Sequence, residues 1–245
     1  SALLTAYPQF AGIQTHSSEG FANYHALQVE FGRQFSNGLT FQTNYTFAKT
    51  MQALGLLNPG DPRPEKVIAA SDRPHIWRFL GIYELPFGPG RAFRGGPIVN
   101  RIIGGWQTQA VIYGQSGTPI DWGNVLFRGN IKDIPVDDPT DARMFNVDAG
   151  FEKAPARQLA SNLRTFPTRL AGVRVSPNWD TALSLIKNTT IRENLRFQAR
   201  LEAFNALNQH FFTAAPTTAP TSTAFGVTTA ATGARAVQVA LKLIF

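Results

Sequence analysis

Gly114-Gln115-Ser116-Gly117 sets a serine between glycines, as a nucleophile elbow does. The second glycine falls one place early for the G-x-S-x-G spacing that exposes a serine on a strained strand-to-helix turn. The segment therefore reads as a turn at the outer end of a strand. A serine nucleophile also needs a base within hydrogen-bond reach. The four histidines, His16, His25, His75 and His210, stand far apart and lack metal-ligand spacing. Asp133, Asp137, Asp138 and Asp141 share one short stretch, and oxygen-rich loops take Ca²⁺. Their spacing is not that of an EF-hand and prolines interrupt it, so a solvated loop is expected and no metal site is assigned. With no cysteine, thiolate catalysis, disulfides and cysteine metal sites are excluded. In SDRPH (71–75), Pro74 is expected to set an extended approach to the next strand. A loop-to-wall salt bridge through Asp72 and Arg73 is the alternative reading. Nothing points to catalysis, so neither enzyme activity nor a cofactor is expected.

What remains are charges in alternation with apolar residues. Over 195–203, Leu195, Phe197, Ala199, Leu201 and Ala203 share one side of an extended chain, and Arg196, Gln198, Arg200 and Glu202 share the other. Leu, Arg, Glu and Ala also favour helix, but helical spacing would scatter the charges around the axis, so a strand is expected. Glu30 and Lys242 occupy equivalent polar positions in 24–50 and 236–245. In lipid such a charged face must turn to a polar interior. Glu30, Arg196, Gln198, Arg200, Glu202 and Lys242 are therefore expected inside a barrel. There they would either pair into a lattice or line a solute path. A barrel of about eight strands is narrow enough to be filled by side chains, which favours the lattice.

The elements that would carry these residues are strands of membrane length. YHALQVEFGRQFSNGLTFQTNYTFAKT (24–50) alternates with period two on both sides of Ser36-Asn37-Gly38, a tight-turn signal. Each arm runs about ten residues, which suits a tilted bilayer crossing better than the usual ~5–6 residue soluble strand. A second hairpin spans 181–207, with Lys187–Asn194 expected as its turn. Weaker strands are expected at 5–16, 75–85, 105–118 and 235–245. Both sides of 105–118 carry apolar groups, so its orientation is left open. The total is about eight strands. Charged residues are 16% of the chain, below the ~25% of soluble domains, while 19 phenylalanines are present. No apolar run approaches the ~18 residues of a membrane helix. The net charge of +7 is scattered rather than clustered, which argues against nucleic acid as a partner.

Connection lengths alternate. Long loops lie at 51–74, 119–177 and 208–234, tight turns at Ser36–Gly38 and Lys187–Asn194, and a Gly/Pro-rich connection of middle length at 86–104. This is the sidedness of an outer-membrane barrel, with short turns in the periplasm and long loops outside. It predicts that both termini are periplasmic. Trp77, Trp106, Trp122 and Trp179 fall near predicted strand ends, which suits an interface belt, though core packing would use tryptophan too. No signal peptide opens the sequence, so an exported protein is expected to be a mature form or a piece of a longer chain.

The chain closes on AVQVALKLIF, with Val237, Val239, Leu241 and Leu243 on one side and a terminal Phe245. YPQFAGI (7–13), the hairpin at 23–50, SDRPHIWRFLGIYELPFGPGR (71–91), GGWQTQAVIYGQSGTPI (104–120), NWDTALSLIKNTTI (178–191), LRFQARLEAFNALNQHFF (195–212) and VALKLIF (239–245) follow in that order. The series resembles the C-terminal part of TonB-dependent outer-membrane receptors, closest to the subgroup with a carboxypeptidase-regulatory-like domain. The likeness covers nearly the whole chain and is weakest in 119–177. It implies that Val239, Leu241, Leu243 and Phe245 form the terminal signal read by the barrel-assembly machinery. It also implies a role in the wall of a nutrient receptor, in contact with outer-membrane lipid and lipopolysaccharide. Such receptors have 22 strands, a plug domain and a TonB box, whereas about eight strands and neither of the other features can be read in 1–245. The chain is thus expected to be either one section of such a barrel, partnered by plug and TonB, or a small outer-membrane barrel with a structural or assembly role.

Overall fold

The computed structural model describes residues 18–159, 162–212 and 215–245. The strand expected at 5–16 lies outside them. One antiparallel sheet dominates. Its path runs β1 (Phe21–Ser36), β2 (Leu39–Ala53), β4 (His75–Glu84), β5 (Trp106–Gln115), β8 (Asn178–Arg192), β9 (Leu195–Phe204) and β12 (Ala236–Ile244). The two-residue β3 (Val67–Ile68) adds to the end of β2 as the eighth strand. Two small ribbons stand apart: β6 (Pro119–Asp121) with β7 (Arg169–Arg174), and β10 (Phe211–Phe212) with β11 (Ala231–Thr232). Among the described residues β1 and β12 are the sheet's two edges and do not pair with each other. β1, β2 and β8 are 15 or 16 residues long. At about 3.4 Å per residue each spans roughly 50 Å, more than a tilted crossing requires, so their ends project beyond the hydrocarbon.

The register aligns the alternating sides of every strand into two continuous faces. On one lie Leu27, Val29 and Phe31 of β1, Phe41, Tyr45 and Phe47 of β2, Trp77, Phe79 and Tyr83 of β4, Leu183 and Leu185 of β8, Phe197 and Leu201 of β9, and Val237 through Leu243 at every second position of β12. Leu27, Phe31, Val239 and Leu241 are each more than 60% exposed. In water that would be an unsupported apolar surface; in lipid it is the surface required. Two glycines on this face lie beneath aromatic rings. Phe79 covers Gly81, where a Cβ would come within 2.8 Å of the ring, and Trp179 covers Gly114, where the distance would be 2.5 Å. The register also orients 105–118: Gln107, Gln109, Val111 and Tyr113 share the opposite, polar face with Arg78 and Ser184.

The main buried apolar cluster is not in the sheet. Ile120, Trp122, Val125, Ile134, Met144, Phe145, Phe151, Phe166, Val173 and Phe225 form a cluster within the connections after β5 and β9. A single sheet between lipid and a polar lumen has no second layer to pack against, so apolar burial gathers where the loops fold on themselves.

Three expectations need correction. The tight turn between β8 and β9 is Glu193-Asn194, not Lys187–Asn194. The polar run Asn188-Thr189-Thr190 continues the strand, paired with Gln198, Phe197 and Arg196. A polar stretch looks like a turn, but at a strand end outside hydrocarbon it pairs as well as any other. The connection 86–104, expected only as a Gly/Pro-rich stretch of middle length, contains helix α1 (Pro97–Ile103), opened by Pro97 at a position that suits proline. Trp122 is not in an interface belt but 3% exposed at the centre of the loop core.

Candidate functional site

The polar face of the sheet is one part of the site. Glu30, Arg196, Gln198, Arg200, Glu202 and Lys242 all lie on it. Arg200 pairs with Glu202 at 2.9 Å, and Gln238 donates to the same carboxylate at 2.6 Å. Gln198 donates to Asn188 at 2.8 Å, and Gln42 donates to Glu30 at 2.6 Å. Between these groups the Arg78 guanidinium lies 5.5 Å from the centre of the Tyr113 ring, and Tyr113 donates to Gln115 at 2.5 Å. Lys242 stands opposite Gln198, and Arg196 opposite Thr190 and Ile244. Arg200–Glu202 and Tyr113–Gln115 run along one strand, and the other contacts are cross-strand pairs, the unit by which neighbouring strands hold register. Chemically, this wall offers both signs of charge and many amide donors and acceptors.

The second part is a platform built by the three long loops. They emerge from the end of the sheet away from Asn37-Gly38 and Glu193-Asn194. The loop between β2 and β4 is tied to the β5–β8 loop by a series of polar clamps. Asp72, 1% exposed, receives the Arg174 guanidinium at 2.7 Å and the Thr50 N–H at 2.5 Å. Arg174 also donates to the Asp72 and Gly117 carbonyls. The Glu65 carboxylate accepts from the Thr168 N–H at 3.0 Å and from the Thr168 hydroxyl. Asn58 exchanges two hydrogen bonds with the Arg164 backbone. The Arg164 side chain crosses to the Trp122 and Phe166 carbonyls at 2.6 and 2.9 Å. Burial lowers the Arg164 pKa from its ordinary value, opposed by Glu65 and Asp121. The third loop joins through Phe225, whose ring meets Phe145 and Phe151 edge-on at 5.2 and 5.1 Å. It also joins through the Met144 N–H, which donates to the Gly226 carbonyl. At the centre, Trp122 stacks on Phe151 with ring centres 5.3 Å apart and 8° between planes.

SDRPH enters the strand as expected of Pro74, and its salt bridge differs from the loop-to-wall pair through Asp72 and Arg73. Pro74 enters β4 with its carbonyl accepting from the Ala48 N–H. Asp72 makes the loop-to-loop salt bridge, and Arg73 donates to the Ser116 carbonyl. The partner of Asp72, Arg174, lies 102 residues away, so no local pattern announces the pair.

Among the described residues no three metal-capable side chains converge. Asp133, Asp137, Asp138 and Asp141 are spread over the platform rim. The Asp133 carbonyl accepts from Asn146, and Asp141 serves Ala142 and Thr228. The ring nitrogen of His75 meets the Tyr45 hydroxyl at 2.7 Å. At this level Tyr45, His75, Trp77, Gly114 and Trp179 line a recess of about 370 Å³ beneath the platform. Sequence alternation identified the polar wall. The clamps between the first and second long loops had no local signal, because Asn58–Arg164, Glu65–Thr168 and Asp72–Arg174 join residues 106, 103 and 102 positions apart.

An apolar outer face, a polar inner face, aromatic groups toward both strand ends and one-sided long loops define a transmembrane antiparallel β-barrel domain. The chain belongs to the outer membrane beta barrel domain family, whose profile matches residues 1–238. Its place is therefore the bacterial outer membrane. No curated protein and no solved structure matches the chain.

Proposed function

We propose that this chain is a section of the wall of a TonB-dependent receptor that takes up a nutrient ligand, with the loop platform outside the cell and both termini in the periplasm. The observation that carries the reading is the open sheet. Among the described residues β1 and β12 do not pair with each other, and an edge in lipid must find further strands. A wider barrel satisfies both edges. In it, Glu30, Arg196, Gln198, Arg200, Glu202 and Lys242 face the lumen and the plug, and the platform contributes to the ligand-facing rim. Val239, Leu241, Leu243 and Phe245 present the terminal strand to the assembly machinery, and the apolar face contacts phospholipid and lipopolysaccharide.

The test is the intact mass of the native species that carries residues 236–245, isolated from outer membrane with an antibody to that segment. A species several times larger than 26.8 kDa supports the receptor. A species near that mass removes the transport reading and leaves a small structural or assembly barrel.

A further inference from the structure

The tight-turn end of the sheet carries an apolar surface that the barrel wall does not explain. Helix α1 exposes Ile98 to 77%, Ile102 to 66% and Val99 to 47%, and Phe93 just before it is 60% exposed. Ile98 and Ile102 are four apart and so share one side of the helix. Arg94 and Arg101 are exposed beside them.

The helix is held in place firmly. Trp106 donates from its indole to the Ile102 carbonyl at 3.0 Å. The Lys187 ammonium donates to the carbonyls of Arg101 at 2.8 Å, Ile102 at 3.0 Å and Gly104, so a cation caps the helix C-terminus. Lys187 and Trp106 are register partners on the apolar face, and the ammonium lies 5.5 Å from the indole ring centre. Gly105, at φ +70°, allows the close approach: a Cβ there would meet the Asn188 carbonyl at 2.1 Å. Trp106 marks the level of α1. Gly114, beneath the Trp179 ring, lies eight residues further along β5. That is roughly 27 Å along the strand and about 21 Å across a bilayer at the usual tilt, close to the height of a barrel's apolar band. The helix thus sits at the lower boundary of the hydrocarbon, its apolar side open and its cations at headgroup level.

We propose that α1 is an interfacial anchor that lies in the leaflet on the tight-turn side, with Ile98, Val99, Ile102 and Phe93 among the acyl chains and Arg94 and Arg101 on anionic phospholipid headgroups. A helix of this kind buries its apolar side about 5–10 Å below the headgroup boundary. It also explains a lysine on a lipid-facing strand position: the Lys187 charge is spent on the carbonyls of a helix that sits at the interface.

Residues 1–245 hold no cysteine, so a label placed among them is read alone once any cysteine elsewhere in the native protein is replaced. Single variants I98C, I102C, L183C and N194C of the complete native protein are spin-labelled, reconstituted into phosphatidylethanolamine–phosphatidylglycerol vesicles, and read for depth by the contrast between oxygen and a water-soluble nickel chelate. L183C, on the apolar face, should report the bilayer interior, and N194C, in the tight turn, should report water. I98C and I102C should lie about 5–10 Å below the phosphates. An R101E change should raise both labels toward water in these vesicles and leave them unmoved in pure phosphatidylcholine. If L183C is in lipid while I98C and I102C match N194C, the anchor is overturned. If R101E is indifferent to lipid charge, the headgroup contact is overturned. If L183C itself reports water, the transmembrane assignment of the sheet falls and the anchor with it.

Discussion

Replacing Asp72 by alanine tests whether the platform is a folded unit with its own stability. Asp72 is buried and accepts from Arg174 and from the Thr50 N–H. Its removal leaves a largely buried guanidinium without a counterion and a backbone N–H without an acceptor. Breaking a buried pair this way costs about 3–5 kcal/mol. Arg174 retains the carbonyls of residue 72 and Gly117 at 3.0 and 3.1 Å, so the lower end, about 3 kcal/mol, is expected. At about 1.4 kcal/mol per tenfold, local opening becomes roughly 150-fold more frequent. The assay is amide hydrogen exchange on the reconstituted protein. The probes are the Val175 N–H, bonded to the Thr118 carbonyl, and the Trp122 N–H, bonded to the Thr168 carbonyl. Both should lose about two decades of protection, while β8–β9 amides keep theirs, because local opening does not require the sheet to unfold. D72N retains an acceptor for Thr50 and should lose about one decade, in line with the smaller loss when only the charge is removed. Unchanged protection at Val175 and Trp122 in D72A would refute the clamp. Equal losses in platform and sheet would refute the independence of the two.

Trp122→Ala should destabilise the platform by about 3–5 kcal/mol, whereas Trp122→Phe should cost about 1–2 kcal/mol; near-ultraviolet circular dichroism should fall in the first while the far-ultraviolet β signal persists. The indole N–H of Trp122 has no acceptor among the described residues, so the phenylalanine variant forfeits packing only. Leu241→Arg, on the apolar face near the middle of β12, should lower stability in vesicles by about 2–4 kcal/mol in denaturant titrations, while Ala240→Arg on the polar face should be tolerated. Equal effects at the two positions would contradict the facing of the last strand. Gly117→Ala would bring a Cβ to 1.8 Å from the Val175 carbonyl; it should cost about 1–3 kcal/mol and raise proteolytic cleavage between β5 and β7.

The strands were legible because their restraint is local. Every second residue of 24–50 and 195–203 must suit one solvent, so a short window suffices to read Leu27, Val29 and Phe31 against Gln28 and Glu30. Asn37-Gly38 was legible for a similar reason: both residues adopt positive φ, at 54° and 83°, and their types announce it. The register that turned Val111 to the polar face could not be read from 105–118, since it is set by β4 and β8. The platform was opaque because its restraints are pairwise and distant. Nothing near Asp72 names Arg174, and nothing near Glu65 names Thr168. Trp122 misled for a physical reason: indoles suit both an interface and a core, and only the neighbours Phe145, Phe151 and Phe166 decide between them. Helix α1 was concealed by the glycines around it, although Pro97 at its start and Gly104 at its end are the usual limits of a helix.

The loop core has a consequence for how the surface can diverge. Ten packed residues and a few clamps determine the path of the long loops, so exposed positions between them, such as Asp137, Asp138, Leu159 and Leu163, are released from structural duty. Substitution there alters the surface of the platform and leaves both wall and scaffold intact. Selection on the platform surface therefore has sites on which to act without each gain of novelty threatening the fold, and lineages should differ most at those positions and least at Trp122, Asp72 and Arg174.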